Sequence, residues 1–210
     1  FCKRSRADAR NALLPQLPKT ARVLLNVGQI CLRKGQLDLA QAVVQLLRDR
    51  NDVYLVLVGE RHSGKVESIA YERAIADEFT AFGRKNHLLR IGYSDNVEQW
   101  MNSADLLVHT ARQEPLGRVL LEAAASELPT IATDVGGTPE ILQHEQSGIL
   151  VPPGDVKALV GCIHAALAKP SRGQAYATSA VEHIRQIFTV RQACQALKGF
   201  WQSANSPALS

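Results

Sequence analysis

Short β-forming apolar strings recur along the chain, and each is followed by a stretch with the apolar spacing of a helix. Residues 22–28 (RVLLNVG) and 53–59 (VYLVLVG) read as strands apolar on both faces, as do 87–91, 105–110 (DLLVHT), 130–132 and 148–151. Between them, 35–50 places Leu39, Val43, Leu46 and Leu47 on one helical face. Further helices are expected over 65–82, 97–104, 117–127 and 139–143. Strands that are apolar on both sides and alternate with helices imply a parallel sheet covered on both faces, an α/β fold with right-handed crossovers. Such a sheet binds ligands at the carboxyl ends of its strands, so every strand-to-helix loop is a candidate site. The last third changes character, with helical patterns at 155–168, 173–186 and 190–202 and no strand between them. At the front, 8–14 suits a short helix and 15–20 a linker. The small polar residues 203–210 suit a frayed tail.

A chain of 210 residues has room for one such domain and not comfortably for two. With 46% hydrophobic and 21% charged residues, disorder and coiled coil are excluded as descriptions of the whole. The 24 Lys and Arg against 20 Asp and Glu give a net charge of +4. That excess is spread too evenly for a nucleic-acid binder and suits an anionic small ligand. The longest apolar run, 53–58, is far short of the roughly 18 residues that span a bilayer, so no transmembrane segment is expected. The opening FCKRSR has neither a start methionine nor the apolar stretch of a signal peptide, and Met101 is the only methionine. The expectation is a chain that begins inside a longer polypeptide. Cys2, Cys31, Cys162 and Cys194 lie far apart, with no Cys-x-x-Cys and no zinc-ligand spacing. This predicts small core side chains in a reducing, cytoplasmic setting, with no disulfide and no metal site.

Four loops hold candidate chemistry. After the first strand, the run from Gly28 to Gly35 delivers Arg33 and Lys34 to the mouth of the next helix, where free amides already favour an anion. After the second, 59–65 (GERHSGK) has the Gly-x4-Gly-Lys spacing of a phosphate-cradling loop, but Val66 stands where a magnesium-holding Ser or Thr is required. A polar turn is therefore favoured there, with a nucleotide hydrolase built on Gly59 and Lys65 as the alternative. After the fourth strand, Glu114 sits in the loop and Glu122 inside an otherwise apolar helix, a poor place for a plain surface carboxylate. At helical rise they would stand about 12 Å apart, too far for a glycosidase pair and suited to two ends of one polyhydroxylated ligand. The amides of Leu116, Gly117 and Arg118 between them form a helix start where a phosphate could dock. In the last loop, Gly136-Gly137-Thr138-Pro139 demands a tight turn. His109, at the end of the fourth strand, is placed to touch a sugar hydroxyl or to pack. Trp100 and Trp201 read as core or covering residues.

Taken in order, these pieces resemble the C-terminal donor-binding domain of a retaining glycosyltransferase of the glycogen-synthase-like group, which has the two-domain GT-B architecture. The resemblance covers 22–202 and rests on Glu114-x7-Glu122 in HTARQEPLGRVLLEAAA, on LPTIATDVGGTPEIL and on GILVPPGD. It implies a Rossmann-like half of a GT-B fold with a C-terminal helical extension. It also implies a nucleotide-diphosphate sugar, UDP- or GDP-linked, as donor. Lys34 would stabilise the departing diphosphate, with Gly28 and Arg33 beside it. The amides around Leu116, Gly117 and Arg118 would hold the phosphates and sugar. Glu114 would accept from sugar hydroxyls and Glu122 from the ribose. The base would lie against Gly92-Tyr93-Ser94, with Val97 nearby. No metal or other cofactor is obligatory in such enzymes.

The chain departs from that pattern at two positions. Gln29 stands where these enzymes usually carry a phosphate-binding Arg, leaving Arg33 as the candidate substitute, and Glu127 replaces a usual glycine at a helix end that wants a left-handed turn. On this reading residues 1–20 lead in from an N-terminal acceptor domain of the same polypeptide, 21–202 form the donor domain, and 190–202 pack back across the other domain. The full protein would transfer a hexose to an acceptor the sequence does not identify, in the cytoplasm or peripheral to a membrane, while this part alone turns over little. A domain that kept the fold and lost phosphate affinity, with Gln29 as the clue, is the further alternative.

Overall fold

Along β1 (Arg22–Val27) successive side chains part to opposite faces, and both faces are covered. Leu24 joins Leu55, Leu57, Leu106, Val108 and Ile131 in one core, while Val23 and Leu25 join Val56, Val58, Leu107 and Ala132 in the other. Such strands have no solvent side, which explains their continuous apolar runs. The computed structural model describes residues 1–204. Among these, β1, β2 (Val53–Val58), β3 (Leu88–Gly92), β4 (Leu106–His109), β5 (Thr130–Thr133) and β6 (Ile149–Val151) form one parallel sheet in the order β3-β2-β1-β4-β5-β6. This is the doubly wound, Rossmann-like arrangement, and its switch point lies between β1 and β4.

The first core is closed by α2 (Gln36–Leu46), α3 (Val66–Ala81) and α7 (Val156–Ala168), through Leu39, Val43, Phe79 and Ile163. The second is closed by α4 (Val97–Ser103), α5 (Arg118–Ala125) and α6 (Thr138–Ile141), through Trp100, Met101, Leu120 and Ile141. α1 (Arg6–Leu13) docks on α4. Its Arg10 donates to Ser103 O at 2.8 Å and Ala21 O at 3.0 Å and pairs with Asp105. α8 (Pro170–Ile187) buries Ala177, Ala180 and Val181, whereas α9 (Val190–Ala204) leaves Val190, Leu197, Phe200 and Trp201 exposed.

The boundaries shift where backbone chemistry outranks periodicity. α2 ends at Leu46 rather than 50, because Arg48 and Asp49 bond to carbonyls three residues back, in a tighter turn. β3 starts after a 3-10 turn at Lys85–His87, and the buried His87 stacks on Tyr54 at 4.6 Å with Nδ1 2.8 Å from Val53 O. α8 begins at Pro170, a proline in the first helical position. The cysteines depart from the core role expected for them: Cys2 and Cys194 are exposed, and Cys31 and Cys162 half-buried. Of the tail, 203 and 204 belong to α9, and 205–210 lie outside the described residues. Among the described residues no helix is long and apolar enough to cross a membrane.

Candidate functional site

The loops leaving β1, β4 and β5 are clamped to one another by main chain. Gly35, at φ 64°, lies so near β4 that a Cβ there would stand 2.0 Å from Thr110 O. Thr110 Oγ1 donates to Lys34 O at 3.2 Å and Arg112 N–H to Arg33 O at 2.8 Å. Arg112 also grips Asp38 at the start of α2 with two bonds, of 3.1 and 2.7 Å. Gly136, at φ 52°, approaches the Glu114 carbonyl just as closely, and Gly137 N–H donates to that oxygen at 3.1 Å. The glycine pair of the last loop therefore exists to let β5–α6 backbone touch β4–α5 backbone. Thr133 Oγ1 closes the arrangement by donating to Ala111 O.

Within this clamp Lys34 runs its stem over Gly28 and places Nζ on Glu114 Oε2. His109 Nε2 lies 2.9 Å from the same oxygen. A carboxylate only accepts, so Nε2 carries the proton. The bond from His109, with Lys34 adding to it, holds the Glu114 carboxyl at about 2 in spite of partial burial. Burial drives the His109 pKa down, so the ring is neutral near pH 7. His109 is 1% exposed and stands behind Glu114, so its influence on a ligand passes through that carboxylate.

Glu114 lies in the loop and α5 starts only at Arg118, after Gly117 at φ 88°. The expectation of eight residues at helical rise between Glu114 and Glu122 is thus corrected, since the chain bends at Gly117. No side chain caps α5, which leaves the amides around Leu116, Gly117 and Arg118 at an open helix start. Glu122 is half-buried, and desolvation raises its carboxyl pKa although Arg118 sits one turn before it. Leu116 and Arg118 are exposed. After β3, Tyr93 is exposed and donates to Asp95 Oδ1 at 2.7 Å, Ser94 Oγ accepts from Trp100 Nε1 at 3.1 Å, and Val97 opens α4 half-buried. Arg33 is exposed and reaches back to Gln113 O at 3.4 Å. Gln29 follows Gly28 directly, its carbonyl taken by Gln36 Nε2 at 2.8 Å.

The loop from Gly59 to Lys65 does not form a phosphate cradle. Arg61 occupies it, donating to Ser63 O and to Glu72 Oε2 at 2.9 Å, and Val66, at the first turn of α3, offers no hydroxyl. Sequence reasoning missed the Asp38–Arg112 clamp, whose partners lie 74 residues apart. It also missed Thr138, whose buried hydroxyl has no hydrogen-bond partner among the described residues. Neither carries a local signal. Among the described residues no three His, Cys, Asp or Glu side chains gather as a metal site.

A doubly wound sheet with charged and amide groups converging at its carboxyl rim defines an α/β ligand-binding domain of the Rossmann-like type. Comparison with known proteins narrows this. The family described as Glycosyl transferases group 1 matches residues 13–183, and the chain belongs to it. Lipopolysaccharide core biosynthesis mannosyltransferase LpsB of Rhizobium meliloti is 26% identical over 178 residues, which are 84% of this chain and 50% of that protein. The glycogen synthase of Mycobacterium tuberculosis is 30% identical over 171 residues, 79% of this chain and 38% of that enzyme. The structure of Anabaena Alr3699/HepE in complex with UDP and glucose superimposes with a TM-score of 0.84 at 25% identity, covering 96% of this chain and 53% of that one. The chain thus spans about half or less of the length of the proteins it is compared with here, on the half that in GT-B enzymes is C-terminal.

Proposed function

We propose that this chain is the donor-binding half of a retaining glycosyltransferase that moves a hexose from a UDP- or GDP-linked sugar to an acceptor held by another part of the same protein. The observation that carries the reading is the Lys34–Glu114–His109 cluster beside the uncapped start of α5, at the carboxyl rim of β1 and β4. HepE, of like fold, binds UDP and glucose, which supports the same ligand class here.

The chemistry follows from the groups available. A diphosphate gains negative charge as its bond to the sugar breaks. Lys34 and the open amides of α5 stabilise that charge without a metal. Glu114, ionised at any physiological pH, accepts from sugar hydroxyls through the oxygen that Lys34 and His109 leave free. Glu122, half-buried, accepts from the ribose hydroxyls. Tyr93 and Val97 flank the base.

Calorimetric titration of the chain with UDP-, GDP- and ADP-glucose and with GDP-mannose tests the assignment. Saturable binding of at least one is expected, weakened tenfold or more (about 1.4 kcal/mol) by Lys34→Ala and by Glu122→Ala. Absence of binding by the unaltered chain, or binding left unchanged in both variants, sinks it.

A further inference from the structure

At the opposite rim of the sheet, where β4, β5 and β6 begin, lies a half-open cavity of about 670 Å³. Small-molecule sites occupy roughly 300–1,000 Å³. Leu106, Ile131 and Ile149 come to it from the strands, Pro129 from the β5 approach, and Ala165 and Ala166 from the end of α7. None of these six side chains has a hydrogen-bonding group, so a wholly polar ligand would find no partner along that wall.

The rim has the opposite character. Arg6, Arg22, Lys169 and Arg172 border the cavity, against only two carboxylates, Asp105 and Glu145. Asp105 is already shared by Arg6, Arg10 and Arg22, and Glu145 is taken by Arg172 at 2.9 Å. His144 does not add an acid, and its Nδ1 is engaged by Leu150 N–H at 3.0 Å. Cations therefore exceed acids around an apolar hollow. Gly161 lies in the interior of α7 and lines the cavity, and a Cβ there would meet nothing within 4 Å. A glycine inside a helix is about 1 kcal/mol less favourable than alanine, and no contact within the chain requires it. Gly161 is exposed at the cavity wall.

We propose that this cavity is a second ligand site, separate from the donor crevice, for a single-chain amphipathic anion: an apolar chain along Ile149, Ala165 and Ala166, and a carboxylate or phosphate head among Arg22, Lys169 and Arg172. The site is independent of the donor reading, because the cavity lies at the strand starts and Lys34 and Glu114 lie past the strand ends.

Dodecyl phosphate, kept below its micelle concentration, is the probe, with dodecanol and inorganic phosphate as its two halves. Saturable binding at least tenfold tighter than either half is expected, with protection of Cys162, a lining residue, from maleimide as mapped by peptide mass. Gly161→Leu, which adds bulk at the cavity wall and favours the helix, weakens binding and protection tenfold or more while UDP-glucose binding stays unchanged. Lys169→Glu with Arg172→Glu weakens dodecyl phosphate tenfold or more. Co-sedimentation with phosphatidylglycerol but not phosphatidylcholine vesicles, lost in Gly161→Leu, makes a membrane lipid the source of the head and chain. Binding without co-sedimentation makes it a free amphiphile. Failure of dodecyl phosphate to saturate, equal affinity for dodecanol, undiminished binding by Gly161→Leu, or competition by UDP-glucose overturns the proposal.

Discussion

A single carboxylate oxygen, Oε2 of Glu114, receives both Lys34 and His109. Because the Glu114 pKa is lowered in the folded state, to about 2, the unfolded chain binds its proton first as acid is added. The stabilisation is complete above the ordinary carboxylate pKa near 4.5 and is lost as pH falls towards 2. Urea unfolding of Glu114→Gln and of the unaltered chain between pH 5 and pH 2.5 should therefore give a flatter pH slope for the variant. Identical slopes would place the carboxylate outside the cluster. Gln29 poses the complementary question, since it stands in the loop that carries Lys34 with an amide in place of a charge. If it weakens phosphate binding, Gln29→Arg tightens a UDP-sugar by an order of magnitude in calorimetry, and an unchanged affinity means Arg33 and Lys34 suffice. The residues themselves were legible as candidates because each follows a strand. Their pairing was not. Lys34 and Glu114 are 80 residues apart, and only the order of the strands brings them together. His109 could be read either as a ligand contact or as packing, and burial decides where it sits.

Helix ends separate what local sequence can settle from what it cannot. Asp155 precedes α7, and its Oδ1 caps the helix by accepting from Ala158 N–H at 2.9 Å. Asp155→Ala should lower stability by about 1 kcal/mol, with a matching shift in the urea midpoint and no change in the slope of the transition. No shift would mean that the helix start is held by packing alone. Glu127 was also readable in advance: a helix that ends where glycine is usual needs a left-handed residue, and Glu127 takes φ 49°. By contrast, α6, with four residues at 138–141 against the expected 139–143, is too short for periodicity to bound, whereas β6 falls within one residue of its expected 148–151. The 3-10 turns beside α2 and β3 arise from tertiary contacts, such as His87 on Tyr54, that no window of sequence contains. Elements long enough to bury a face announce themselves, and the connecting turns depend on what they are packed against.

At the scale of the molecule, the sheet has two rims with different chemistry. Every described strand runs the same way, so the amino ends border the apolar cavity and the carboxyl ends carry the charged crevice. β4 spans the distance between them, from Leu106 at the cavity to His109 behind Glu114. The alternation of strands and helices made the architecture readable from the sequence. The cavity was not readable, since its lining comes from α7, α8 and the starts of four strands, residues with no common spacing.

The crevice walls meet through peptide groups, at Gly35 against Thr110 and at Gly136 against Glu114, and Thr110, Thr133 and the Arg112–Asp38 pair brace that junction. Selectivity for one sugar or one base is then a matter of ornament rather than of scaffolding. A descendant of this chain could exchange Tyr93, Leu116 or Arg33 for other side chains and acquire a different substrate without rebuilding the floor on which they stand.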